Sequence, residues 1–284
     1  MDNQIEKLSS LPSLRETVSK HSIQTKKELG QNFLFDLNIT DKIARASGKL
    51  KDSTVIEIGP GPGGLTRSLL LNGAKKVIVI EKDERCLPIL NEIKEIVGDR
   101  LDIINEDALK TKEEEFGSNL KIVANLPYNV ATELLFKWLD KIEYFESFTL
   151  MFQKEVADRI AAKPRTKQYG RLSIVAQWLC EVQKEFDVPA SAFYPPPKVT
   201  STVITLRKRQ ESSYKADKKY LEKVVKAAFG QRRKMIRSSL KQITGNIDEL
   251  LNGTNIREES RAEELDISQF CLLAERLKEI ESRT

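Results

Sequence analysis

Between residues 53 and 152 the chain repeats one pattern, a short apolar and β-branched run followed by a stretch of helix length. The runs are 53–58 (S-T-V-I-E-I), 77–80, 101–104, 120–124 and 148–152. The helix-length stretches between them are 65–71, 83–97 and 131–139. Runs this short read as strands covered on both faces, and their alternation with helices makes βαβ units on a parallel sheet. The expected fold is α/β, with a doubly wound, mostly parallel sheet.

After residue 153 the rhythm changes. Residues 154–162 and 171–180 read as helices around a polar, basic loop, 163–170 (K-P-R-T-K-Q-Y-G). Residues 193–197 (F-Y-P-P-P) form a rigid extended segment, because proline fixes φ, and 199–206 read as another strand. From Asp217 the pattern is helical, with Tyr220, Val224, Ala227 and Ala228 on one face and lysines over much of the rest. The domain boundary is therefore placed near residue 208. Residues 1–25 are expected to be a flexible leader, 26–207 the main domain and 208–284 a small C-terminal helical domain.

Composition narrows the function classes. Hydrophobic residues make up 40% of the chain, enough for a real core, while the longest apolar runs are far too short to span a bilayer. The leader carries Glu6 and Glu16 and no apolar segment, so it resembles neither a secretory signal nor a transit peptide. A cytoplasmic protein with no membrane partner is expected. Cys86, Cys180 and Cys271 are scattered and odd in number, which fits reduced thiols rather than a disulfide framework or a zinc site. The one histidine, His21, lies in the leader and reads as a solvated tail residue. No metal is expected.

Charge is localised. The formal net charge is only +5, yet residues 208–241 hold twelve Lys/Arg against three acidic side chains, and residues 242–284 hold five against ten. A basic block of this kind is the footprint of a nucleic-acid binder or, more blandly, one solvated helix face.

The loop at 57–66 (E-I-G-P-G-P-G-G-L-T) follows the first strand and opens a helix. Gly59, Gly61 and Gly64 satisfy G-x-G-x-x-G, which by itself indicates only a nucleoside-bearing ligand at the carboxyl edge of the sheet. Pro60 and Pro62 have no N–H, so the turn is a poor cradle for a pyrophosphate. S-adenosylmethionine carries a sulfonium and no phosphate, and it fits the loop better than NAD does. Glu81 ends the second strand, where a carboxylate accepts hydrogen bonds from both ribose hydroxyls. Asp107, in 105–109 (N-E-D-A-L), is placed to accept the adenine amino group, with Glu106 as the competing candidate.

Asn125-Leu126-Pro127-Tyr128 follows the fourth strand. The exocyclic amine of adenine is a poor nucleophile, because its lone pair is delocalised into the ring. An Asn oxygen and a backbone carbonyl that both accept from this amine pull it towards tetrahedral geometry and aim the lone pair. Pro127 helps to expose the carbonyls of the loop, and Tyr128 offers a face on which an extruded base stacks.

In these residues the sequence resembles the KsgA class of ribosomal RNA adenine N6,N6-dimethyltransferases. The likeness spans roughly residues 29–240. It includes 29–34 (L-G-Q-N-F-L), the glycine loop, Glu81, 106–109 (E-D-A-L), 125–128 (N-L-P-Y), 152–156 (F-Q-K-E-V), 193–199 (F-Y-P-P-P-K-V) and 232–237 (R-R-K-M-I-R). The resemblance implies a Rossmann-like class I methyltransferase with a small helical C-terminal domain. In such an enzyme Gln31, Asn32 and Leu34 close over the methionine end of the cofactor, and Gly59 and Gly61 approach it. Glu81 meets the ribose, Asp107 and Ala108 the adenine, and Asn125 both the cofactor and the target amine. Phe193 stacks on the target base opposite Tyr128. The implied substrate is 16S rRNA in the small subunit or its precursor, where two adjacent adenosines are each methylated twice, and the implied state is a monomer. Arg165, Lys167, Arg232, Arg233, Lys234 and Arg237 are the expected phosphate contacts. Asn105 and Glu106 depart from the family, which often has a glycine there. The alternatives are a large-subunit adenine methyltransferase that confers antibiotic resistance, a Rossmann dehydrogenase, and a non-catalytic ribosome-assembly factor on the same scaffold.

Overall fold

A computed structural model describes residues 2–26, 30–210 and 214–283. The chain begins with α1 (Asp2–Ser9), α2 (Leu14–Lys20), β1 (Phe33–Leu34) and α3 (Leu37–Ala46). The repeated pattern follows as β2 (Thr54–Ile58), α4 (Gly64–Leu71), β3 (Lys76–Ile80), α5 (Leu87–Val97), β4 (Leu101–Ile104), β5 (Leu120–Asn125), α6 (Ala131–Leu139) and β6 (Phe145–Gln153). Next come α7 (Lys154–Ile160), α8 (Arg171–Leu179), β7 (Cys180–Val188), β8 (Phe193–Tyr194) and β9 (Ser201–Lys208). The chain ends with α9 (Lys218–Gly230), α10 (Ile236–Leu240), α11 (Ile247–Leu251) and α12 (Ile267–Ser282).

The seven-stranded sheet has the order β4-β3-β2-β5-β6-β9-β7. β4, β3, β2, β5 and β6 run parallel and β9 antiparallel to β6. All five expected runs are strands. β2, β3, β5 and β6 are buried nearly throughout, as strands covered on both faces must be, while β4 at the sheet edge is mostly half-buried. From β2 the chain winds outward through β3 and β4, then returns to the other side of β2 for β5 and β6. This reversal opens a crevice at the carboxyl ends of β2 and β5, the place where doubly wound sheets bind ligands. β7 was not expected from the sequence. It is an edge strand with Glu181, Lys184 and Asp187 along it, so it lacks the apolar signature of the inner strands.

The division of the chain differs from expectation at two places, the first 25 residues and residues 158–182. The chain forms two compact units, residues 1–157 with 183–208, and residues 158–182 with 209–284. The first 25 residues are not a flexible leader. They form α1 and α2, and Leu8, Leu14 and Ile23 are buried in the first unit. Ser13 and Glu16 close a capping box at the start of α2. The buried Arg67 of α4 donates to Pro12 O (2.7 Å), and Lys20 pairs with Glu92 of α5 (2.8 Å). His21 is likewise no solvated tail residue, since its Nε2 lies 3.1 Å from Glu92 Oε1. The sequence hid this packing because the apolar positions of the leader are few and spread over two short helices. Residues 158–182, expected in the main domain, join the helical unit. There Tyr169, Ile174 and Trp178 enter the same core as Leu221, Val224 and Phe270 of α9 and α12. Trp178 also donates its indole N–H to Tyr214 O (2.9 Å). All three cysteines are buried thiols outside any disulfide.

Candidate active site

Every βα loop at the crevice contributes to one cavity. Its wall includes Gln31, Asn32 and Leu34 around β1, Gly59 and Gly61 after β2, Glu81 after β3, Asp107 and Ala108 after β4, and Asn125 to Tyr128 after β5. The sequence-derived cofactor residues are thus brought together, with Leu29 of that motif outside the described residues.

The glycine loop owes its course to backbone that only glycine adopts readily. Gly59, Gly61 and Gly63 all have positive φ. A Cβ on Gly61 would lie 3.1 Å from the ring of Phe33, so a side chain there would fill the cradle. Below the loop lies Glu57, which the sequence reading did not single out. Its carboxyl is buried in β2 and accepts from Thr66 Oγ1 (2.6 Å). Burial, opposed in part by the Thr66 hydrogen bond, pushes it up to about 8. A charged residue type inside an otherwise apolar strand was the signal available for it.

Glu81 is also buried. It accepts from Gly61 N–H (2.9 Å) and Asp83 N–H (2.8 Å), so it holds the glycine loop as well as facing the cavity. Burial raises its carboxyl above the usual range. Each oxygen keeps a second lone pair for a ribose hydroxyl. Asn105 donates to Glu81 O (2.8 Å), which gives the residue that departs from the family a role in fixing the end of β3. Asp107 accepts from Lys82 Nζ (2.7 Å) and from Leu109 N–H (3.1 Å), and the lysine hydrogen bond holds its carboxyl below the usual range. Glu106 also lines the cavity and is exposed.

The lining chemistry tests which cofactor fits. The wall holds the carboxyls of Glu57, Glu81, Glu106 and Asp107, and Lys82 is the one cation among the described lining residues. An acidic wall repels a pyrophosphate and attracts a sulfonium and an ammonium. The residues therefore fit S-adenosylmethionine and oppose NAD.

At the mouth of the cavity, Asn125 ends β5, and its Nδ2 donates to Asn32 O (3.4 Å). That contact orients the amide and leaves Oδ1 as an acceptor. Pro127 O already accepts from Val130 and Ala131 N–H, which start α6. Leu126 O has no such partner among the described residues, so it is the loop carbonyl left for a substrate amine. Tyr128 is held through a 2.6 Å hydrogen bond between its hydroxyl and Ser201 Oγ, a second contact that the sequence did not reveal. Gln31 bonds Asp83 Oδ2 (2.7 Å), and Arg85 grips the same carboxylate, so the segment before β1 is tied to the loop after β3. Phe193 is placed differently from expectation. It is 4% exposed and packed in the core with Leu34, Met151 and Val203, and it is not among the cavity-lining residues.

Three basic residues of the helical unit, Arg165, Lys167 and Arg232, are tied together at Glu263. Arg232 pairs with Glu263 (2.8 Å) and donates to Lys167 O (2.7 Å), while Arg165 N–H donates to Glu263 O (2.7 Å). Glu263 thereby gathers the 163–170 loop and the 231–235 loop. Arg237 is engaged by Asp248 and Glu258. Arg165, Lys167, Arg233 and Lys234 are exposed.

Residues 22–279 match the family model described as ribosomal RNA adenine dimethylase. The chain belongs to this family. The dimethylase is 53% identical over 271 residues to the ribosomal RNA small subunit methyltransferase A of Paramagnetospirillum magneticum, covering 95% of this chain and 96% of that one. It is 52% identical over 275 residues to the protein of the same name from Rhizobium johnstonii, covering 95% and 99%. Among solved structures it is similar to a dimethyladenosine transferase from Plasmodium falciparum, at TM-score 0.74 and 28% identity over 86% of this chain and 96% of that one. It is also similar to the 23S rRNA methyltransferase ErmE, at TM-score 0.67 and 27% identity over 87% and 100%. The dimethylase thus has the class I methyltransferase fold, and its cofactor is S-adenosylmethionine.

Proposed function

We propose that this dimethylase transfers methyl groups from S-adenosylmethionine to N6 of two adjacent adenosines in the 3′-terminal hairpin loop of 16S rRNA. The products are N6,N6-dimethyladenosines, and the reaction serves small-subunit biogenesis in the cytoplasm. The enzyme works as a monomer. The observation that carries the reading is the pair of acceptors, Asn125 Oδ1 and Leu126 O, that have no partner among the described residues at the mouth of an acidic cavity.

When bound, S-adenosylmethionine supplies a methyl group on a sulfonium, and transfer leaves a neutral thioether. Asp107, held ionised by Lys82, gives the wall the negative charge that suits such a cation, while Glu57 adds to it only as pH rises towards 8. In the first transfer Asn125 Oδ1 and Leu126 O accept from the two N6 protons, and in the second one of them accepts from the proton that remains, so that the nitrogen lone pair faces the cavity. The residues of this loop would thereby present the nitrogen lone pair to the methyl group that a bound cofactor would supply. The surplus proton leaves the nitrogen afterwards, to water. No general base is needed before attack, so the contribution of the site is positioning in line with the C–S bond. Tyr128, anchored by Ser201, stacks on the extruded base. Adenosines in a hairpin loop are partly unstacked already, which lowers the cost of extrusion. Arg165, Lys167, Arg233 and Lys234 meet the phosphates, while Arg232 and Arg237 act through the ion pairs that shape this surface. Asp107 accepts the adenine amino group of the cofactor, and Gln31, Asn32 and Leu34 close its methionine end.

The test is methyl transfer to small ribosomal subunits that lack the modification, with primer-extension stops mapped on both rRNAs. The expected stops lie at two adjacent adenosines of 16S rRNA. Stops confined to 23S rRNA would overturn the choice of substrate, and intact subunits left unmethylated would favour a non-catalytic assembly role.

A further inference from the structure

The RNA-methylating role proposed above leaves one aromatic surface beside the cavity without a task. Antiparallel pairing of β1 with β8 sets Phe33 opposite Tyr194 and Leu34 opposite Phe193. Paired residues share a face and sequence neighbours take opposite faces. Leu34 and Phe193 turn into the apolar core, so Phe33 and Tyr194 share the other face, where Phe33 is buried beside Ile23 and Ile89 and Tyr194 reaches solvent.

That face carries a row of three rings. Phe33 borders the cofactor cavity. Phe35 lies next, its ring centroid 6.2 Å from that of Phe33 and 5.9 Å from that of Tyr194, with the second pair stacked at 25°. Tyr194 ends the row in solvent, 53% exposed. The guanidinium of Arg15, on α2, sits 5.3 Å from the Phe35 centroid. Arg15 is exposed and has no carboxylate partner among the described residues. The prolines at 195–197 restrain the chain that follows Tyr194, so the ring is held with little entropy left to lose on binding.

We propose that the outward face of Tyr194, backed by Phe35 and flanked by Arg15, stacks an unpaired RNA base next to the adenosine in the cavity, with Arg15 on its phosphate. Two features favour RNA over an apolar protein partner. A π surface beside an unpaired cation is what a single-stranded nucleotide needs, one part for the base and the other for the phosphate. The row also runs continuously from the cavity wall, so a base on Tyr194 and a base at Tyr128 can belong to one strand. Stacking ignores base identity, so this position recognises an unstacked neighbour and thereby favours a loop over a duplex.

The test uses the full chain carrying Tyr194→Ala or Tyr194→Phe. Readouts are the Kd for an adenylate hexamer, kcat and KM for unmethylated small subunits, and the Kd for S-adenosylmethionine by calorimetry. Tyr194→Ala is expected to weaken hexamer binding and to lower kcat/KM for subunits by about 5- to 150-fold, the range that base stacking represents. The loss should lie in KM, with cofactor affinity unchanged, and Tyr194→Phe should behave as wild type. Arg15→Gln should reduce the salt slope of hexamer binding by about 0.7. If Tyr194→Ala leaves both RNA readouts unchanged, the stack is refuted and the surface is left to a protein partner. An equal fall in cofactor affinity would instead make Tyr194 structural, which also overturns the proposal. Hexamer binding that depends on Tyr194 in a protein unable to methylate small subunits would sink the 16S assignment and keep the base platform.

Discussion

Glu57→Gln is the substitution that most directly probes the acidic cavity. The carboxyl lies under the glycine loop, and burial takes it from the ordinary 4.5 to about 8, with the Glu81 charge pushing the same way. Between those values the folded protein keeps a proton that the unfolded chain has released. Stability from this group is therefore complete below about pH 4.5 and is lost as pH rises towards 8. The slope is about 1.4 kcal/mol per pH unit, and the sum over the window is at most about 5 kcal/mol. Glutamine has the shape of the protonated acid and accepts from Thr66 in the same way, so the variant escapes this loss. Urea unfolding followed by tryptophan fluorescence at pH 5 and pH 8.5 measures the difference. The two proteins should be nearly equal at pH 5, and the variant should be the more stable by several kcal/mol at pH 8.5. Glu81, also raised by burial, gives both proteins a residual slope. Parallel stability curves across this range would refute the reasoning. The ionised carboxylate is also what a bound cation meets, so the variant should bind S-adenosylmethionine more weakly at pH 8.5.

Asn125→Ala should lower kcat by about 100- to 1,000-fold while changing RNA affinity little, because it removes an acceptor that acts on the reacting amine. Single-turnover methyl transfer beside a filter-binding assay checks this, and equal losses in both would contradict the role. Charge reversal at Arg233 and Lys234 should weaken RNA binding and flatten its dependence on salt by about 0.7–0.9 for each phosphate no longer neutralised. Arg232→Gln should instead loosen the two loops that Glu263 gathers, visible as faster hydrogen exchange over residues 163–170. Leu14→Ala should destabilise the first unit by about 2–5 kcal/mol, because Leu14 is buried against Gly64 at the start of α4. A change of less than about 0.5 kcal/mol in a denaturant titration would show that α2 contributes nothing to that core.

The parts of this protein legible in its sequence are those that local physics dictates. Buried parallel strands demand apolar runs, so β2 to β6 stand out. A turn needing positive φ demands glycine, so the cofactor loop declares itself at Gly59 and Gly61, while the third such position is Gly63 and not the Gly64 of the motif. An amine-orienting loop demands an Asn with an adjoining carbonyl, so residues 125–128 were found at the end of β5. Their ordered spacing carried the family resemblance. Tertiary contact decided the rest. α1 and α2 are short, with few apolar side chains, and they become part of the fold through Leu8 in the apolar core and through contacts of α2 and its flanks with Arg67, Glu92 and Gly64. Residues 158–182 read as a continuation of the main domain until Tyr169 and Trp178 enter the helical core. Phe193 and Tyr194 are adjacent aromatics that sequence cannot rank. The register of β1 with β8 buries the first and exposes the second, because neighbours on a strand must face opposite ways.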